Sequence, residues 1–180
     1  MKILKTFTDF ITENSDSTYD KGCAMLFFDF PEMSKIHDKI DPNDIYEEDG
    51  DNTYGLEDEP HVTLLYGLDP KVKPEQVKEI VNDFDFGKCT MYNASLFKNE
   101  YDVLKFDAKG NGLHKCNRAL TKLPYENSYP DYHPHMTIAY LKKGKGKKYI
   151  NMLKGQEYEL TPSHIIFTQP NGTKNRIELK

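Results

Sequence analysis

The chain is predicted to be a single α+β domain, mostly antiparallel sheet with helices packed on one side. Three observations predict it. Apolar runs of strand length alternate with segments of helical period. The 180 residues suffice for one well-buried core, and two full domains would be tight. A phrase also recurs, "PHVTLLY" (Pro60 to Tyr66) and "PHMTIAY" (Pro134 to Tyr140), each after a helical segment, so that the chain divides into two similar halves.

Residues 1–14 place Ile3, Leu4, Phe7, Phe10 and Ile11 on one helical face, which predicts an amphipathic N-terminal helix added to a domain over 20–180. "CAMLFFDF" (Cys23 to Phe30) is a compact apolar run stopped by Pro31, the pattern of a buried strand. "PEMSKIHDKI" follows as a helix with Pro31 at its start. A strand is expected over His61 to Tyr66 and a helix from about Pro74 to Asn82. "KCTMYNASLFKNEYDVLKFDA" reads as a hairpin turned at Lys98–Glu100. Leu113, Cys116 and Leu120 fall at helical spacing, and a polar loop then leads to a strand over His135 to Leu141. A loop or short helix precedes two last strands, "SHIIFTQP" and "NRIELK", joined by the turn "PNGTK".

The charge is uneven. The net charge of −5 argues against coating of long nucleic acid, which needs a basic face. Residues 41–59 carry nine acidic side chains and no basic one, whereas "KKGKGKK" (Lys142 to Lys148) is the reverse. Both read first as solvated loops. The acidic segment lacks the ladder of an EF-hand loop. Cys23, Cys89 and Cys116 show no CxxC spacing and sit in apolar contexts, the pattern of core thiols. There is no apolar stretch of membrane-spanning length and no secretory leader pattern, so the default expectation is a cytoplasmic protein.

The repeated phrase carries the chemistry. Residues i and i+2 of a strand share a face, so His61 projects with Thr63, and His135 with Thr137. Val62, Leu64 and Tyr66, and likewise Met136, Ile138 and Tyr140, are expected on the opposite face beneath the helices. If the two strands are neighbours, two imidazoles and two hydroxyls share one cleft. Imidazole titrates near neutral pH, so one ring can accept a proton while the other donates one. Two hydroxyls can bind the non-bridging oxygens of a phosphodiester. No cofactor is required.

"HVTLLYG" and "HMTIAYL" resemble the paired HxT signatures of the 2H phosphoesterase superfamily, the LigT-like and 2′,5′-RNA-ligase-like proteins. "LKFDAKGNGLHKCNRALTKLPYENSYPDYHPHMTIAYL" is similar to the second half of that family, and the resemblance covers roughly Cys23 to Lys180. It implies a bilobal, pseudo-twofold fold with sheets lining a central cleft and helices outside. It further implies a metal-independent phosphodiesterase in which His61 and His135 are acid and base and Thr63 and Thr137 hold the phosphate. The substrates implied are small nucleotides: 2′,3′-cyclic phosphates, 2′-5′ oligoadenylates or cyclic oligonucleotide signals. Phage-encoded, anti-CBASS members of the family act on the last of these to counter host immunity, which would place a viral protein in the host cytoplasm. The acidic insert 41–59 departs from the family pattern; a lid that narrows the substrate range is one role open to it, its negative charge then being turned away from the phosphate.

Tyr19, Tyr66, Tyr132 and Lys142 are the candidate substrate-binding residues, with Tyr54, Tyr129, Lys143 and Lys145 as further loop candidates. His37, His114 and His164 are read as structural. Two alternatives stay open. The cleft binds a cyclic nucleotide or RNA end without turnover, or Asp131, His133 and His135 ligate zinc or iron. No further His or Glu phrase completes the metal set and Pro134 interrupts it, so no metal is assigned. Oligomeric state is not legible.

Overall fold

A computed structural model describes residues 20–126 and 131–180. The expected helix over 1–14, together with Tyr19 and Tyr129, lies outside the described residues. The elements are β1 (Gly22–Phe28), α1 (Met33–His37), β2 (His61–Leu68), α2 (Pro74–Val81), β3 (Cys89–Lys98) and β4 (Asp102–Lys109), followed by α3 (Leu113–Leu120), β5 (His135–Leu141), α4 (Lys147–Leu153), β6 (Tyr158–Leu160), β7 (Pro162–Thr168) and β8 (Lys174–Glu178). They form two four-stranded antiparallel sheets, β2-β1-β7-β8 and β5-β4-β3-β6. Each sheet is one lobe, and β1-α1-β2 in the first corresponds to β4-α3-β5 in the second.

The main core joins both lobes. Leu26, Leu64 and Phe167 from the first sheet and Phe106, Met136 and Ile138 from the second are fully buried against the helices. Each such side chain contributes roughly 1.5–3 kcal/mol by leaving water. The helices follow their apolar spacing: α2 buries Val77 and Val81, and α3 buries Leu113, Cys116 and Leu120. The three-residue β6 was not expected, being too short to show a period.

The two repeated phrases share a backbone irregularity that their spelling conceals. In the β1–β2 ladder Met25 opposes Thr63 and Ala24 opposes Leu65, so Leu64 opposes nothing. In the β4–β5 ladder Lys105 opposes Thr137 and Leu104 opposes Ala139, so Ile138 opposes nothing. Each strand therefore bulges at the fifth residue of its phrase. The bulge inverts the alternation beyond it. Tyr66 opposes Cys23 and Tyr140 opposes Val103, which puts both tyrosines on the histidine–threonine face. The expectation that they lie beneath the helices is thereby corrected, and Tyr140 joins a separate cluster with Tyr101 and Val103.

The carbonyls at the two bulges are held by side chains from the opposite lobe. Asn117 of α3 donates through Nδ2 to the Leu64 carbonyl at 2.7 Å, and His37 of α1 donates through Nε2 to the Ile138 carbonyl at 2.9 Å. Tyr132, just before β5, donates to the neighbouring Thr63 carbonyl at 2.8 Å. These bonds tie the edge strands β2 and β5 to each other's lobes.

The acidic insert lies along β5. Ile45 and Leu56 form bridges to Leu141 and Ala139, and Tyr46 N donates to Tyr140 O at 2.9 Å while Tyr140 N donates to Gly55 O at 2.8 Å. An edge strand presents unpaired backbone groups, and here the insert supplies their partners. Tyr46 stacks on Tyr101 with centroids 4.8 Å apart, and Tyr54 meets Tyr140 edge-on at 5.6 Å. The lysine run reaches back to the same segment. Asp44, 5% exposed, accepts from Tyr149 Oη at 2.6 Å and pairs with Lys148 Nζ at 2.5 Å. Lys142 Nζ donates to the Asn43 carbonyl at 2.7 Å. The two oppositely charged stretches thus serve each other, and the insert covers the β5 edge.

Two outcomes follow from these contacts. Replacing Asn117 by Ala strands the Leu64 carbonyl and should lower stability by about 1–3 kcal/mol in denaturant titrations. Hydrogen bonds from Lys148 and Tyr149 hold the Asp44 carboxyl below its ordinary value, so its contribution is present above the unfolded value and fades as pH falls through the folded one. Asp44→Asn should therefore melt at lower temperature than wild type at pH ~7, with the gap closing as pH drops below about 4.

Candidate active site

β2 and β5 run against each other between the two sheets, and each begins at its phrase's histidine. His61, Thr63, His135 and Thr137 are half-buried while Val62, Leu64, Met136 and Ile138 are buried, so the expected alternation holds up to the bulges. The two rings are close enough for His61 to act electrostatically on His135. Each ring is anchored in the same way. His61 Nδ1 donates to the Glu59 carbonyl at 2.8 Å, and His135 Nδ1 donates to the His133 carbonyl at 2.9 Å. A carbonyl only accepts, so both Nδ1 atoms carry hydrogen and Nε2 is the atom through which each ring exchanges a proton. A phenyl ring flanks each: Phe27 lies 5.4 Å from His61 and Phe97 lies 4.9 Å from His135, centroid to centroid.

The neighbouring strands are not alike. On β1, Phe27 and Met25 stand opposite His61 and Thr63. On β4, Asp107 and Lys105 occupy the matching places opposite His135 and Thr137. Lys105 is only 8% exposed, and its ammonium donates to Asp107 Oδ1 at 2.6 Å and to Ser95 Oγ at 2.8 Å, 4.7 Å above the Phe97 ring. Asn93 donates to the other carboxylate oxygen at 2.6 Å. It does so from the left-handed region, φ 50°, within a register shift of β3 between Tyr92 and Ser95. Burial works against the Asp107 carboxylate, but the bonds from Lys105 and Asn93 outweigh it and hold the carboxyl below its ordinary value. Burial pushes the His135 imidazolium down to about 4, the His133 carbonyl and Asp107 opposing and Lys105 and His61 assisting.

Of the other candidates, Tyr66 is 8% exposed beside Cys23, and burial raises that thiol to about 12 against a hydrogen bond with Thr63. Tyr132 spends its hydroxyl on the Thr63 carbonyl and its ring on His114 at 5.2 Å, so it braces β2. Lys142 is turned to the insert. Asp131 and His133 are exposed, and no group of three or more His, Cys, Asp or Glu suited to a metal occurs among the described residues. His164 stacks on Phe27 at 5.0 Å, which places it on the cleft face of β7. Sequence reading missed Lys105, Asp107 and Asn93. Their only signal was polar alternation in "LKFDAK", where Lys105 and Asp107 interrupt an otherwise apolar strand.

No protein-family model matches the chain, and no curated protein matches it in sequence. Among solved structures, Usb1 of Kluyveromyces marxianus aligns over 90% of this chain and 99% of its own at TM-score 0.59 and 8% identity. Its complex with uridine monophosphate aligns over 89% and 99%, with the same score and identity. LigT of E. coli, complexed with 3′-AMP, aligns over 89% and 96% at TM-score 0.44 and 14% identity. At such identity the Usb1 likeness is one of fold. The chain therefore shares the fold of Usb1, two antiparallel sheets with helices outside.

Proposed function

We propose that the chain is a metal-independent phosphodiesterase acting on a small nucleotide. One observation carries this reading. Two HxT phrases, each on a bulged edge strand and each with its imidazole anchored through Nδ1, stand on two strands, β2 and β5, that contact one another between the sheets. Such a pair suits a phosphodiester. One Nε2 takes the proton of the attacking hydroxyl or water, the other gives a proton to the leaving oxygen, and Thr63 and Thr137 donate to the non-bridging oxygens where negative charge grows. The buried ammonium of Lys105 on the same face adds positive potential for an anion.

Flanking rings support a nucleotide. Phe27 with His164 on one side and Phe97 on the other are aromatic neighbours of the two imidazoles. Usb1 is known in complex with uridine monophosphate, and the same class of ligand suits this cleft. Within that class, 2′,3′-cyclic phosphates, 2′-5′ oligoadenylates and cyclic oligonucleotide signals are the substrates to test. Cleavage of the last would serve a phage against host nucleotide-based immunity.

Incubation with a panel of these nucleotides should give turnover that survives EDTA. His61→Ala and His135→Ala should each lower the rate by about 10²–10⁴ while the protein stays folded. Binding without turnover throughout the panel would replace the enzyme by a binding module, and loss of rate on chelation would require a metal. If the nucleophile is a ribose 2′-hydroxyl, a 2′-deoxy substrate should be inert; its cleavage at full rate identifies water as the nucleophile.

A further inference from the structure

The two halves of the cleft repeat each other in backbone and in motif, and they differ in the strand beside the motif. Where the first lobe sets Met25 and Phe27, the second sets Lys105 and Asp107. A buried ammonium is costly to place; this one is held by Ser95 and by the half-buried Asp107, itself held by an Asn in a left-handed bulge. That cost has no counterpart across the pseudo-twofold, which points to a task that only one of the histidines has.

We propose that the Lys105–Asp107 pair makes the two histidines inequivalent, with Lys105 acting as the positioning residue that keeps His135 the proton acceptor and leaves His61 the proton donor. The assignment rests on the phosphodiesterase reading above. Among the described residues, the charged and titratable groups that act on His135 include Lys105 and Asp107 from β4 and His61 from β2. β3 contributes the Phe97 ring, and the His133 carbonyl holds Nδ1. α1 reaches β5 at Ile138 through His37, and the nearest insert carboxylate on that strand, Glu57, acts on Tyr140. Lys105 is the ammonium among these described groups, and it repels a proton on His135. Asp107 is engaged by Lys105 and Asn93, which limits its power to attract that proton. On the other side Met25 and Phe27 carry no charge, and the Phe27 ring beside His61 suits an imidazolium.

The step balances on these groups. The nucleophile's O–H proton passes to His135 Nε2 as its oxygen bonds to phosphorus. The bond from phosphorus to the leaving oxygen breaks, and that oxygen takes the proton of His61 Nε2. The protein ends with His135 protonated and His61 neutral, the reverse of the start, and proton exchange with solvent restores both.

The test is an NMR titration of the His135 ring proton in the ligand-free protein, paired with the pH dependence of kcat/KM on whichever nucleotide of the panel turns over. Lys105→Met copies the residue of the other lobe, and Lys105→Gln keeps donors for Asp107 and Ser95 without the charge. Each should raise the His135 midpoint by about 1 pH unit or more, while Lys105→Arg should leave it near the wild-type value. The acid limb of kcat/KM should move with it. A midpoint that stays put in the folded Met or Gln variant overturns the role of Lys105. A midpoint that moves while the acid limb does not overturns the assignment of His135 as acceptor. A fall in kcat with both left unmoved marks Lys105 as packing only, and also overturns the proposal. Absence of turnover on every nucleotide would count against the phosphodiesterase reading, and the titration would still decide whether Lys105 governs His135.

Discussion

The carbonyls of Leu64 and Ile138 set the geometry on which the rest of the cleft depends. Each sits where its ladder skips a residue, on an edge strand, and a buried polar group in that position is expensive unless something donates to it. Asn117 and His37 supply the donors, each from the helix of the opposite lobe. The exchange is reciprocal, so movement of either strand breaks a bond to the opposite lobe, and at Ile138 the Glu57 N–H of the insert adds a second donor at 3.0 Å. It also explains why the histidine phrases do more than present four side chains. The fifth residue of each phrase bends the strand, and the bend turns Tyr66 and Tyr140 toward the cleft side.

From that frame the two lobes diverge. The first keeps an apolar neighbour strand, with Phe27 between His61 and His164. The second carries a closed electrostatic circuit of Lys105, Asp107, Asn93 and Ser95 under His135 and beside Phe97. Beyond it the tyrosines of the insert continue the face as a cluster with Tyr101 and Tyr140. Symmetry in the backbone and asymmetry in charge are what a general acid and a general base require of one pair of identical residues.

Much of this was legible in the chain. Strand β5 was bounded correctly because its apolar run begins and ends abruptly, and the Pro74 helix was marked by its start signal. The paired HxT phrases led to the fold because two copies of a four-residue pattern constrain far more than one. What escaped was non-local. A bulge changes no residue type, so the face of Tyr66 and Tyr140 was misjudged beyond Leu64 and Ile138. The bond between Lys148 and Asp44 joins segments about a hundred residues apart, and each segment alone looked like a solvated loop. Lys105 and Asp107 drew no reading, because burial of the Lys105 ammonium depends on partners such as Ser95 and Asp107 that sequence does not align with it.

The most direct measurement is the pH profile of kcat/KM in EDTA for the wild type and for His61→Ala and His135→Ala. Two imidazoles working as acid and base give a bell in the wild type, and each variant's residual rate should keep only one limb, the other limb lost with its ring. A flat profile, or variants that keep both limbs, would contradict the assignment of the proton transfers to this pair.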